Sequence, residues 1–265
     1  MKSVLVYTIH KAGSTFLNLL LRQTCRRFGI DHLSENDGRY FDTIQSDSWK
    51  AFIENEPSPS CFGPIRGSSN SAIFPANLDD FSIVLHLRDP RDVLTSLYFS
   101  YAYSHKVRPG RFEATDQQRE QWRSEGIDNF VLKAAGPLQA TYSKLCALLD
   151  RPNVVVVHYE TMVLNYPQWL ADVLDAFVHL AVPTKKKRHM LLPQFVRRQK
   201  IKSELFRRHK DSFCTQHEDI YSHKRKVIPG DHRDKLQADT IGQLDQIFAN
   251  YFCCIKQSES RKLVG

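Results

Sequence analysis

The stretch YTIHKAGSTFLNLLLR, residues 7 to 22, sets a lysine, a glycine and two hydroxyl side chains between an apolar run and a helical pattern. The first turn of a helix has amide groups with no intrahelical acceptor and carries the positive end of the helix dipole, so it attracts anionic oxygens. Amides from about Gly13 to Phe16 are spaced to wrap such a group, with Gly13 permitting close approach, Ser14 and Thr15 adding hydroxyl donors, and Lys11 adding a charge alongside. The order is not that of a Walker A loop, where the lysine follows a second glycine; here it runs Lys11, Ala12, Gly13, Ser14, Thr15. Taken alone, the stretch also reads as an ordinary tight turn.

A second constellation is LHLRDPRDVLTSLYFSY, residues 85 to 101, in which Arg88 ends an apolar run and Ser96 falls eight residues later, two turns into a helical pattern. Asp89 stands at an N-cap position and Pro90 at the first helical position. Read in isolation, Arg88 would neutralise a carboxylate and Ser96 would be incidental. Read with the first constellation, two strand ends both offer anion donors, and the carboxyl edge of a parallel sheet is where such folds bind nucleotides.

The elements that must carry these residues are legible. Residues 3 to 9 (SVLVYTI), 82 to 87 (SIVLHL) and 153 to 159 (NVVVVHY) are nearly continuous apolar runs, as expected of strands covered on both faces of a parallel sheet. Each leads into helical sequence: Phe16 to Arg27; Val93, Leu94, Leu97 and Tyr101; and WLADVLDAFVHL from Trp169. Further helical pattern runs from Ile127 to Leu149, interrupted at Gly136 and Pro137, and from Leu236 to Phe252. Strands alternating with helices predict a three-layer αβα fold, α/β in class, with a mainly parallel central sheet.

A length of 265 residues with 42% hydrophobic content suits one domain over 1–265. The 37 Lys and Arg against 29 Asp and Glu give a net charge of +8, much of it in a basic tract from KKKRH (185 to 189) to HKRKVIPGDHRDKL (223 to 236), and favour an anionic ligand. Six cysteines without regular spacing signal neither zinc nor a disulfide framework and fit a reducing, cytoplasmic setting. The apolar start meets His10 and Lys11 too early for a signal peptide, and no run is long enough for stable membrane insertion. No histidine cluster has metal-ligand spacing, so no metal is implied. His86, inside an apolar run, reads as a hydrogen-bonded core residue.

With these residues in order, the chain resembles the sulfotransferases that use 3′-phosphoadenosine 5′-phosphosulfate (PAPS) and release adenosine 3′,5′-bisphosphate (PAP). Their 5′-phosphosulfate loop is matched by Lys11, Ala12, Gly13, Ser14, Thr15 and Phe16, and their 3′-phosphate Arg and Ser by Arg88 and Ser96. Their later Tyr-Glu pair is matched by Tyr159 and Glu160, and their R-K-G-x-x-G-D-W segment by Arg225, Lys226, Val227, Ile228, Pro229, Gly230, Asp231 and His232, where a glycine and the tryptophan are replaced. The resemblance implies a P-loop NTPase-like sulfotransferase fold and in-line sulfuryl transfer from PAPS to a hydroxyl, with an amine as second choice. In that setting Lys11 offsets charge on the leaving oxygen, the loop holds the 5′-phosphate, and Arg88, Ser96, Arg225 and Lys226 hold the 3′-phosphate. Phe16 and Tyr159 are the expected adenine contacts, and Glu160 is assigned to helix capping.

The acceptor's base is expected at Asp37, with Glu35 and His10 as alternatives. The segment from Glu35 to Asp42 resembles the carboxylate stretch of the heparan glucosaminyl branch, although an Asn-Asp-Gly turn reads equally well there. The histidine of the cytosolic branch has no counterpart in CFGPIRGSSNS, residues 61 to 71, which carries Arg66. Segments 31 to 80 and 104 to 126 are the expected acceptor loops, for a small-molecule or glycan acceptor. Two rival readings are a nucleotide or small-molecule kinase, disfavoured by the Walker order, and a basic nucleic-acid-binding protein. The latter leaves the Arg88 to Ser96 spacing without a purpose, so no nucleic acid is expected as partner.

Overall fold

A computed structural model describes residues 3–28, 30–34, 60–66, 74, 77–104, 115–178, 202–209, 218–221 and 225–264. Asp37 and Glu35, with the whole segment 35–59, lie outside the described residues. The backbone groups into two compact units, Met1–Leu87 with Ala147–Ser212, and Arg88–Cys146 with Phe213–Gly265.

The first unit holds a five-stranded sheet of β1 (Ser3–Thr8), β2 (Asp31–Leu33), β3 (Ser60–Arg66), β4 (Phe81–Leu87) and β5 (Val154–His158), in the order β2-β3-β1-β4-β5. Every pairing is parallel. The expected α/β class and parallel sheet are therefore observed. Val4, Leu5, Val6 and Tyr7 are fully buried, as are Ile83, Val84 and Leu85, which accounts for the absence of polar alternation in these strands. From β1 the chain goes out to β2 at the edge and returns to β3 on one side, then crosses to β4 and β5 on the other, so the switch point lies between β1 and β4. There Thr8 is paired with His86 at the carboxyl ends. His86 is fully buried with its Nδ1 3.4 Å from Thr8 Oγ1 and its ring against Trp169, a core residue as its sequence setting suggested.

Helix α1 (Ser14–Phe28) covers the β2–β3 side through Leu17, Leu20 and Leu21. In the second unit α2 (Pro90–Phe99) runs on into a π-helical turn at Ser100–Ser104, and α3 (Asp116–Cys146) packs against α2. The break expected at Gly136 and Pro137 is instead at Gly126, where φ 77 and ψ 163 leave helical geometry, while the helix carries through Pro137. A positive φ is open to glycine at little steric cost, and proline removes one helical hydrogen bond without ending the others. The helix expected over Leu236 to Phe252 divides into Ala238–Ile247 and Ala249–Val264, separated at Phe248.

Strands β2 and β3 fall within the segment expected to be acceptor loop, and residues 116–126 of the second such segment are helical. In β3 the Gly63-Pro64 pair reads as turn sequence, yet the strand passes through it beside a register shift of β1 between Leu5 and Tyr7. Gly63 has φ +132, and a Cβ there would stand 2.4 Å from the Val6 carbonyl oxygen. Gly63→Ala is therefore expected to destabilise by more than about 2 kcal/mol. Gly136→Ala, whose Cβ meets nothing within 4 Å, should be neutral or stabilising by up to about 1 kcal/mol. Urea unfolding of the two variants against the parent chain checks both.

Candidate active site

The chain leaves the carboxyl end of β1 through a tight turn. The Ala12 amide donates to the Ile9 carbonyl at 3.1 Å, and the Leu17 amide donates to the Gly13 carbonyl at 3.0 Å, so Gly13 starts the helical ladder. Lys11 and Gly13 both take the left-handed region, at φ 67 and φ 76. For lysine this conformation is unfavourable, and such residues concentrate where a side chain has to be aimed. Ile9 and Ala12 are fully buried and anchor the turn from below. Gly13 is required twice over: its φ suits glycine, and a Cβ would lie 2.9 Å from Met162 Cε and 3.3 Å from Tyr159 Cε2.

Those two residues belong to α4 (Tyr159–Leu164), which follows β5 directly and lays Tyr159 against the turn, with only 6% of its surface exposed. Ser14 is nearly buried and its Oγ accepts from Arg66 Nε at 3.2 Å, whereas Thr15 is exposed. Arg66, at the end of β3, drew notice in the sequence only as the residue standing where another branch has histidine; its guanidinium in fact reaches Ser14 at the start of α1. The Phe16 ring packs edge-on to His209 at 5.2 Å and to Tyr166 at 6.0 Å, and lies 6.2 Å from Trp169, within an aromatic group of its own unit. His10 is half-buried within the turn.

In the second unit Asp89 caps α2, its side chain accepting from the Arg91 amide at 2.9 Å, with Pro90 in the first turn as expected. The Arg88 carbonyl accepts a hydrogen bond from the buried Tyr142 hydroxyl, which steadies the backbone where the arginine emerges. Arg225 is 8% exposed; it ion-pairs with Glu218 and Asp231, and its guanidinium lies 3.9 Å from the Phe99 ring centroid. Lys226 Nζ is 2.9 Å from Asp234 and 3.0 Å from Asp231, and these partners, Asp234 first, raise its pKa. Among the described residues no group of three or more His, Cys, Asp and Glu is arranged to hold a metal.

Asp92 is the residue that sequence reasoning missed here, although its position four residues from both Arg88 and Ser96 was available. It is 1% exposed and accepts from the Gly230 amide at 2.6 Å and the His232 amide at 3.0 Å, with His232 Nδ1 at 2.7 Å. Burial acts to raise its pKa, but the His232 hydrogen bond, the Arg88 charge and the two amides outweigh it and hold the value at about 2 against an ordinary 3.8. Because the folded-state value is the lower one, this carboxylate stabilises the fold fully above about pH 4 and loses that contribution as pH falls from there through about 2. Asp92→Asn should therefore be less stable by about 2 to 3 kcal/mol at neutral pH. The gap to the parent chain, followed by denaturation, should close between about pH 4 and pH 2.

The sulfotransferase domain family matches residues 1–259, a span that takes in both compact units. No curated protein sequence matches the chain. Among solved structures, mouse sulfotransferase SULT7A1 complexed with PAP is similar with a TM-score of 0.57 at 12% identity, over 98% of this chain and 89% of that one. Retinol dehydratase in a complex with retinol and PAP is similar with a TM-score of 0.50 at 14% identity, over 94% of this chain and 80% of that one. At such identities the likeness is one of fold, and it is the family match that assigns the chemistry. A basic turn at the end of the central strand and a family match over 259 residues lead to one conclusion: this chain belongs to the sulfotransferase domain family and is an enzyme of sulfuryl transfer.

Proposed function

We propose that the chain, acting as a single domain over 1–265, transfers a sulfuryl group from PAPS to a hydroxyl of a small-molecule or glycan acceptor, with an amine as second choice. The left-handed Lys11 carries this reading: a lysine at φ 67 stands three residues before the start of α1 at Ser14, at the carboxyl end of the central strand, where a helix end attracts anions. Both solved structures named above are PAP complexes, one of them also holding retinol, which supports a 3′,5′-bisphosphorylated nucleotide and a small acceptor here. The donor supplies the sulfuryl group and a bisphosphate leaving group. Transfer of this kind passes through a loose transition state governed by positioning and charge, so no covalent nucleophile is needed.

The Gly13, Ser14 and Thr15 amides and hydroxyls bind the 5′-phosphate, with Arg66 steadying Ser14. Lys11 offsets charge developing on the leaving oxygen. Arg88, Ser96, Arg225 and Lys226 take the 3′-phosphate, and Phe16 and Tyr159 border the adenine. Asp37 accepts the acceptor's proton, with Glu35 and His10 next in order. We assign the reaction to the cytoplasm on the cysteine pattern; no helix among the described residues is long and apolar enough to cross a membrane.

Lys11→Met should lower turnover by at least about a hundredfold while changing PAP affinity by less than about threefold, because its charge matters most as the leaving group departs. Single-turnover kinetics with PAPS and calorimetry with PAP separate the two; an equal loss in both would overturn the assignment. Asp37→Asn should abolish transfer and retain PAP binding. The turnover of the parent chain should fall on the acid side only below about pH 5. An inflection near pH 6.5 that disappears in His10→Ala would move the base to His10.

A further inference from the structure

Arg88, Asp92 and Ser96 are spaced by four, so they line one side of the segment that opens α2. A carboxylate between two groups that hold a phosphate is unexpected, since like charges at such range repel. Here its charge is already engaged. Oδ2 accepts the Gly230 amide at 2.6 Å and lies 4.0 Å from Arg88 Nη2, while Oδ1 accepts the His232 amide at 3.0 Å and faces His232 Nδ1 at 2.7 Å. An ionised carboxylate only accepts, so the Nδ1 atom carries the hydrogen and donates it. Both residues are buried, at 1% and 2% exposure.

All three donors come from one short piece of chain. Gly230, at φ +90, turns the backbone so that its own amide and that of His232 reach the same carboxylate. Between them Asp231 turns the other way and pairs with Arg225 and Lys226. Asp92 thus fixes 230–232, and Asp231 fixes the two cations to that piece. The resemblance expects tryptophan at position 232; histidine there adds a ring donor aimed at Asp92.

We propose that Asp92 and His232 form a positioning pair, which holds Arg225 and Lys226 in register with Arg88 and Ser96 for the nucleotide's 3′-phosphate. Neither member touches the ligand; the pair acts through the segment it anchors. This inference rests on the reading of Arg88 as a 3′-phosphate ligand, and the test keeps the two apart.

Calorimetry on the full chain, with PAP and adenosine 5′-phosphate as probes, provides it. Arg88→Ala should weaken PAP by about tenfold or more and leave adenosine 5′-phosphate within about twofold. If it does not discriminate, the 3′-phosphate reading fails and the positioning pair with it. Given that discrimination, His232→Phe, which keeps a ring and removes the donor, should weaken PAP by about five- to tenfold and leave adenosine 5′-phosphate unchanged. His232→Asn, whose amide offers a donor near the Nδ1 position, should recover most of the loss. Retained adenosine 5′-phosphate binding reports that each variant is folded. Equal loss of both nucleotides, no loss of either, or no recovery in His232→Asn would each overturn the proposal while leaving Arg88 in its role.

Discussion

A strand hydrogen-bonded along both edges and buried on both faces has only its ends left for chemistry, and β1 is such a strand. It lies at the centre of the five-strand order, its side chains from Val4 to Tyr7 fully buried. What the chain does on leaving it is therefore the decisive local event. Ile9 and Ala12 remain in the core while Lys11 between them is half-buried, and the backbone adopts the left-handed region at Lys11 and again at Gly13. Helix α1 then starts at Ser14, three residues after the lysine.

The surroundings of that turn make it stiff. Tyr159 and Met162 leave no room for a side chain at residue 13, and Arg66 holds Ser14 from the end of the neighbouring strand. A loop confined in this way has little conformational entropy left to lose, which is the physical content of preorganisation. The second unit reaches a comparable state by charge. Arg225 is buried with two carboxylates and an aromatic face, Lys226 is shared between two aspartates, and Asp92 gathers three donors onto one side chain. Each of the two cations is thereby held by more than one partner.

Much of this was legible in the linear chain, and the parts that were not have physical reasons. The strands β1, β4 and β5 were readable because burial on both faces leaves uninterrupted apolar runs. Strand β3 was not, since Gly63 and Pro64 are local turn signals overridden by pairing with β1 and β2. The helix break was misplaced because glycine and proline together at 136 and 137 are a stronger local signal than the lone glycine at 126.

The sequence by itself determined the order of residue types from Lys11 to Phe16, the Arg88 to Ser96 interval and the alternation of apolar strands with helices, because each is set by neighbours within about two helical turns. Only the tertiary structure decided what Asp92 and Arg66 do. Asp92 meets its partners 138 and 140 residues away, and Arg66 reaches a serine 52 residues before it. Neither distance leaves a mark on local periodicity or propensity. A buried carboxylate and a strand-end guanidinium acquire their roles from whichever distant donors or acceptors the packing brings within about 3 Å, and that is a property of the folded chain.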